Sequence, residues 1–265
     1  KKSVATIHGL EFERFGQFYP WHERIYLRWV TKNAVRRAAR IIAVSQATKN
    51  DLMELYGVPD EKIVVVQHGI SMPPEARSIK HEARDTEIEK MAQNSNTTVY
   101  ASIGKPYFLY VGRMEKKKNV DGIVQAFEIA KERYGLPHKL MLAGSDGCGA
   151  KNIKYQILNT KYREDIKLLG YISNEQKWEL LRNAEALVFP SWYEGFGLPI
   201  LEAQTASVPV VTSNTSAMPE VAGQGALYVD PANVESIAEA MHKIAGDTDL
   251  RKNLIEKGLQ NVQRF

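Results

Sequence analysis

Two glutamates, Glu194 and Glu202, lie in the segment Pro190-Ser-Trp-Tyr-Glu-Gly-Phe-Gly-Leu-Pro-Ile-Leu-Glu202. Ionised carboxylates are strong acceptors for sugar and ribose hydroxyls. Between them, Gly195 and Gly197 let the backbone come close to a ligand. Pro199 suits the first turn of a helix, and Glu202 is expected within that turn. The unpaired N–H groups of such a helix start readily face an anion. The same residues also make a glycine-rich turn, with Glu194 on the surface and Glu202 complementing the helix dipole. On residue types alone both readings stand.

A second constellation, Gly112-Arg-Met-Glu-Lys-Lys-Lys-Asn119, follows an apolar run and precedes a helical one. Arg113 offers a planar fork to phosphate oxygens and Lys118 a point charge. Each such contact is worth roughly 1.5–3 kcal/mol net. The plain alternative is a solvated basic loop, and the position at a strand end leaves the two evenly matched. His8-Gly9 closes another short apolar run. A histidine there could donate to a sugar hydroxyl or help stabilise developing charge, although most turn histidines are structural. The loop Gly144-Ser-Asp-Gly-Cys-Gly149 lacks the helix-start spacing of a dinucleotide fingerprint. It reads as a phosphate or sugar contact or as a plain turn. Cys148 has no neighbouring His or basic pair that would favour a thiolate. No Asp-x-Asp pair falls in a ligand loop, so no divalent metal is expected.

The elements that must position these residues alternate along the chain. Apolar runs predict strands at Val4–Ile7, Ile41–Val44 and Ile63–Val66, with helices at about Trp21–Arg40 and at Gln46–Tyr56. Ser45 should cap the second helix, and Gly57 with Pro59 should end it. Residues 73–105 contain Pro-Pro, many charges and the polar run Asn94–Thr98, with a short helix near Glu87–Ala92. They read as a linker or excursion. A second alternating series predicts strands at Tyr107–Val111, Lys139–Ala143, Ile166–Leu169, Ala186–Phe189, Pro209–Thr212 and Ala226–Val229. Helices fall between them at Asp121–Tyr134, roughly Lys151–Thr160, Asn174–Asn183, Pro199–Gln204 and Met218–Val221, then from Val234 onward. This is the pattern of doubly wound parallel sheets, in which ligands gather at the carboxyl ends of strands.

Composition narrows the classes. The chain has 265 residues, 44% hydrophobic and 25% charged, as expected for a globular protein. A net charge of +4, from 35 Lys and Arg against 31 Asp and Glu, is too weak to argue for nucleic acid. A single cysteine excludes an internal disulfide and makes a reducing cytoplasm the default compartment. No run of eighteen apolar residues is present. The basic helix Arg24–Arg40 either packs amphipathically on a sheet or lies on an anionic membrane, a peripheral contact at its inner face.

Taken together, Gly112, Arg113, Lys118 and Asn119, and Glu-Gly-Phe-Gly-Leu-Pro-x-x-Glu at Glu194–Glu202, resemble the retaining glycosyltransferases of family four. Thr6-Ile-His-Gly9, Ile42–Thr48, Val64–Gly69 and Leu168–Ser173 are similar to further segments of that family and occur in its order. The resemblance implies the GT-B fold: two Rossmann-like domains with parallel sheets, here residues 1–72 and 106–265, the N-terminal one incomplete. It implies a nucleotide-sugar donor, best matched to GDP-mannose through the mannosyltransferase branch. The implied acceptor is a glycan or lipid-linked glycan in cell-surface polysaccharide synthesis. His8 then corresponds to a histidine near the reacting centre, with Gly112, Arg113 and Lys118 around the diphosphate. Glu194 faces the sugar and Glu202 holds the ribose. The backbone of Gly195, Phe196, Gly197 and Leu198 approaches sugar and phosphate, and Gly170, Tyr171 and Ile172 hold the nucleobase. The implied reaction retains anomeric configuration and needs neither cofactor nor metal. His68-Gly69 stands where the family usually has Asn-Gly, and Gly9 where Asp is common. The family's first strands and glycine-rich loop find no counterpart, so an N-terminally truncated fragment is expected, one that binds donor but transfers poorly. A catalytically silent nucleotide-sugar-binding module and a GT-B sugar-nucleotide epimerase are the alternatives. The second would need an acid–base set that does not stand out in the sequence.

Overall fold

A computed structural model describes residues 3–70 and 106–265. The proposed linker 73–105 and the helix near Glu87–Ala92 lie outside the described residues.

The first strands, β1 (Val4–Ile7), β2 (Arg40–Ala43) and β3 (Ile63–Val65), pair in parallel in the order β1-β2-β3. Three helices connect them: α1 (Glu11–Arg14), α2 (Trp21–Arg37) and α3 (Gln46–Tyr56). Ser45 caps α3 as expected, its side chain accepting from the Thr48 N–H. Gly57 ends it in the left-handed region, at φ 61°. Leu10, Phe12, Val35, Ile41, Leu52 and Ile63 form a small core between helices and sheet.

The second sheet has six parallel strands: β4 (Tyr107–Val111), β5 (Lys139–Ala143), β6 (Ile166–Gly170), β7 (Ala186–Phe189), β8 (Val210–Ser213) and β9 (Ala226–Val229). Their spatial order is β6-β5-β4-β7-β8-β9. Helices α4 (Val120–Tyr134), α5 (Ala150–Asn159), α6 (Asn174–Asn183), α7 (Leu198–Thr205), α8 (Met218–Ala222), α9 (Val234–Gly246) and α10 (Thr248–Val262) join and cover these strands. Every residue of β7 and β8 is buried, as are the first four of β4. Such unbroken apolar burial is what helices on both faces of a parallel sheet require. Ser173 and Gln176 close a capping box at the start of α6.

Some boundaries differ from the sequence expectation. Helix α2 stops at Arg37 rather than Arg40, because Ala38 turns extended (ψ 137°) and the Ala39 N–H bonds to the Ser3 carbonyl at 2.8 Å. The chain is already entering the sheet there. The helical run from Val234 is two helices, since the Asp247 side chain caps a second one through the Leu250 N–H. The short α1 carries only one buried apolar residue, Phe12, too little for a periodic signal.

Strand order decides where the motifs meet. Moving outward from β4, the chain fills one side with β5 and β6, then crosses back to place β7, β8 and β9 on the other. The crevice of such a sheet opens at the carboxyl ends of β4 and β7. The loops beginning at Gly112 and Pro190 leave from those two ends.

Candidate functional site

The loop after β4 is held to the loop after β7 by Asn119. This residue sits in the left-handed region (φ 57°), and its side-chain N–H groups reach the carbonyls of Pro190 at 3.1 Å and Pro231 at 2.9 Å. The Trp192 N–H adds a bond to the Lys117 carbonyl, 3.1 Å. The Tyr110 hydroxyl, deep under the loop, donates to the Arg113 carbonyl at 2.8 Å. Burial, then the charges of Glu194 and Glu115, push its pKa far up, so it stays a donor.

With the loops so joined, the Lys118 ammonium lies 2.7 Å from both carboxylate oxygens of Glu194. Both side chains are largely withdrawn from water, at 20% and 11% exposed. Desolvation on this scale strengthens the pair relative to a surface salt bridge. The Glu194 backbone is fixed by Ser216, whose hydroxyl accepts from the Glu194 N–H at 3.0 Å and donates to its carbonyl at 3.1 Å.

The three-stranded sheet closes the other side of the crevice. Gly195 is packed so tightly against the His8 carbonyl that a Cβ there would overlap its oxygen. The Gly195 carbonyl accepts from the Thr48 hydroxyl at 3.3 Å. His8 stacks on His68 with ring centroids 5.6 Å apart, and His68 meets the Phe196 ring edge-on at 5.1 Å. Burial, reinforced by His8, lowers the pKa of His68. Beneath this, Tyr193 donates to Asp51 on α3 at 2.7 Å and accepts from the Leu10 N–H at 3.3 Å. Asp51 is in turn paired with Arg14 at 2.6 Å.

Other expected residues stand apart from this cluster. Arg113 is 64% exposed and pairs with the buried Glu115 at 3.0 Å. Glu202 lies in the second turn of α7, not the first, because the helix already begins at Leu198. Its carboxylate is held 2.5 Å from Lys177 on α6, so it salt-bridges rather than complementing the dipole of its own helix. Gly197 caps α7 in the left-handed region (φ 107°), and no side chain caps the start of the helix. The Gly170 carbonyl, at the end of β6, accepts from the Gly144 N–H at 2.7 Å. Gly144 in turn lies so close to the Gly112 carbonyl that a Cβ could not fit. Ile172 packs on the core, whereas Tyr171 projects outward, 84% exposed.

Four contributors were missed from the sequence: His68, Lys177, Ser216 and Glu220. His68-Gly69 comes shortly after the third strand as His8-Gly9 comes after the first, and that parallel was a usable signal. Nothing in their own segments marks the others. Glu220, on α8, accepts from the Gln46 N–H at 2.8 Å, the Ala47 N–H at 3.3 Å and the Gln67 side chain at 2.7 Å. It thereby serves the start of α3 across the crevice. Among the described residues no group of three His, Cys, Asp or Glu is placed to hold a metal ion.

The arrangement sets the Lys118 ammonium, the Glu194 carboxylate and an uncapped helix start beside a crevice between two sheets. These features suit a ligand that carries both phosphate and hydroxyl groups.

Comparison with known proteins agrees with that chemistry. Residues 97–261 match the family profile "Glycosyl transferases group 1", and residues 1–72 match "Glycosyltransferase Family 4". The chain is 29% identical over 266 residues to "O-antigen chain mannosyltransferase B" of Escherichia coli, covering 100% of this chain and 67% of that protein. It is 26% identical to "O-antigen chain mannosyltransferase RfbU" of Salmonella typhimurium, covering 92% of this chain and 61% of that one. The chain thus spans about two thirds of the length of these relatives. Among solved structures, Anabaena Alr3699/HepE in complex with UDP and glucose superposes with a TM-score of 0.78 at 19% identity, over 100% of this chain and 67% of that one. WaaG, a glycosyltransferase involved in lipopolysaccharide biosynthesis, gives 0.75 at 18% identity, over 99% and 71%. At such identities these two show the fold, GT-B, and no more.

Proposed function

The chain belongs to the glycosyl transferases group 1 family, and from that premise we propose that it is the larger part of a retaining, metal-independent mannosyltransferase. Its donor in this reading is GDP-mannose. Its acceptor is a glycan or lipid-linked glycan of a cell-surface polysaccharide, and the reaction takes place in the cytoplasm. The relatives named O-antigen mannosyltransferases support the choice of sugar. The observation that carries the reading is the crevice at β4 and β7, where Lys118 and Glu194 meet under Gly195 and His8.

The chemistry follows from charge. As the bond from the anomeric carbon to the diphosphate breaks, its electron pair leaves with the phosphate oxygen. Lys118, Arg113 and the N-terminus of α7 stabilise that growing negative charge, so no metal is required. The acceptor oxygen attacks from the face the diphosphate leaves, and its proton passes to the departing phosphate oxygen. Glu194 positions the sugar and stabilises the cationic anomeric centre, while His8 lies near it. Glu202, oriented by Lys177, accepts from the ribose hydroxyls. Donor binding also requires Lys118 to exchange part of its contact with Glu194 for phosphate, which frees the carboxylate for the sugar.

Calorimetry with GDP, UDP and ADP, followed by transfer from GDP-mannose with the full-length protein, tests the proposal. Binding of GDP and a product of unchanged anomeric configuration, formed in the presence of a chelator, are expected. A folded protein that binds none of the three nucleotides would remove the donor site. Binding without any transfer would leave a silent binding module instead.

A further inference from the structure

His8 follows β1 at the crevice, and its backbone and side chain are held by different means. Gly195, packed on the His8 carbonyl, fixes the main chain. The imidazole is exposed, and no hydrogen bond among the described residues reaches it. What faces it is the ring of His68, three residues past the end of β3. The two rings are 5.6 Å apart between centroids and 8° from parallel, within the range that offset stacks prefer. An exposed histidine without such a support exchanges among staggered rotamers. Displacing a group beside the reacting atoms by about 1 Å is enough to cost about 100-fold in rate.

His68 is itself tied down from the far side of the crevice. Its ring meets the Phe196 ring at 84°, with centroids 5.1 Å apart. Phe196 is 5% exposed and stands two residues from Glu194 in the same loop. Phe265 packs on Phe196 in turn, at 5.8 Å and 80°. A chain of rings therefore crosses from the three-stranded sheet to the loop after β7, with His68 in the middle. The stack also constrains charge. Two imidazolium rings face to face would repel, so one of the pair must be neutral. Burial, then the neighbouring His8, lower the pKa of His68, which makes it the neutral platform. An asparagine, usual for the family at this place, would keep a polar side chain and lose the ring.

We propose that His68 is a positioning residue of the transfer reaction: its ring, set between His8 and Phe196, holds the His8 imidazole in the crevice and fixes its place relative to Glu194. The proposal deepens the mannosyltransferase reading and rests on it. His68 acts through His8 rather than on the donor.

Steady-state transfer from GDP-mannose by the full-length protein, with His68→Asn and His68→Phe beside the wild type, tests it. His68→Asn should lower kcat by roughly 10- to 100-fold, while KM for GDP-mannose and GDP affinity stay within about twofold. His68→Phe restores a flat ring and should recover most of that loss, which a side chain needed only for its polarity would not. Nuclear Overhauser contacts between the His8 and His68 rings in the wild type read the stack without any substitution or activity. In His68→Asn the His8 ring protons should move towards free-histidine shifts. Wild-type kcat in His68→Asn, a raised KM with kcat unchanged, a His68→Phe no better than His68→Asn, or no Overhauser contact between the rings would each overturn the proposal. So would loss of GDP binding and a lowered melting temperature alongside the fall in kcat, the mark of a merely structural side chain. A wild type that transfers no mannose removes the underlying reading and this role with it, and the wild-type control separates that outcome from a loss confined to the variants.

Discussion

Tyr193→Phe should loosen the seam between the two sheets without touching the crevice directly. Tyr193 is 5% exposed, and its hydroxyl donates to Asp51 at 2.7 Å and accepts from the fully buried Leu10 N–H at 3.3 Å. Phenylalanine keeps the ring and its packing, so no cavity opens. The loss is the hydrogen bond to a charged acceptor, about 1.5–3 kcal/mol, together with an N–H left buried without a partner, about 1–3 kcal/mol. Asp51 keeps Arg14, whose nitrogens lie 2.6 and 2.9 Å away, which softens the first contribution. A destabilisation of about 3 kcal/mol is therefore expected. Urea unfolding followed by tryptophan fluorescence reads it, because Trp192 adjoins the seam and packs on Phe15, 6.1 Å away. A cycle with Asp51→Asn isolates the pair, and the two substitutions should cost less together than the sum of their separate effects by about 1–2 kcal/mol. A loss below about 0.5 kcal/mol for Tyr193→Phe, or strict additivity in the cycle, would refute the reasoning that this bond couples the sheets.

Other consequences follow from the same geometry. Lys118→Ala should weaken GDP binding by roughly 10- to 100-fold, the worth of one charge-assisted phosphate contact, as read by calorimetry; unchanged affinity would contradict the diphosphate role. Glu202→Ala should weaken GDP roughly tenfold but leave inorganic pyrophosphate unaffected, because the carboxylate is assigned to ribose. Gly195→Ala should reduce transfer by about 100-fold with GDP binding nearly intact, since the added methyl must push the His8 strand end away from the sugar; a wild-type turnover number would count against the apposition. His138 is buried against Phe108 with neither ring nitrogen hydrogen-bonded, and burial lowers its pKa to about 4. The unfolded chain therefore takes up the proton first. Its contribution to stability is complete above the ordinary histidine pKa of about 6.5 and is lost as pH falls from there towards 4, by about 3 kcal/mol in all. His138→Leu should flatten the fall of stability between those pH values, and an unaltered slope would show that His138 is not its source.

The residues singled out from sequence met different fates for physical reasons. The loops at Gly112–Asn119 and Pro190–Gly197 could be placed at strand ends because apolar runs are local and end abruptly at glycine or proline. Their partners could not be read in the same way. Lys118 and Glu194 are 76 residues apart, and Tyr193 and Asp51 are 142 apart. Lys177 looks like any surface lysine of an amphipathic helix until α7 brings Glu202 against it. Glu202 fell one residue deeper in its helix than expected because Leu198, not Pro199, opens the helix. Beyond the first turn its carboxylate meets the Lys177 ammonium of a neighbouring helix.

By itself, the sequence determined the alternation of strands and helices, the caps at Ser45 and Gly57, and the fact that charged and glycine-rich loops follow the strands. These depend on hydrophobic period and on backbone preferences within a few residues, which the chain carries locally. Tertiary structure alone decided that β4 and β7 are neighbours, that His8 and His68 stack, and that Lys118 is neutralised by Glu194. Each of these depends on which surfaces become dry when distant segments pack, and desolvation is a property of the whole fold rather than of any one segment.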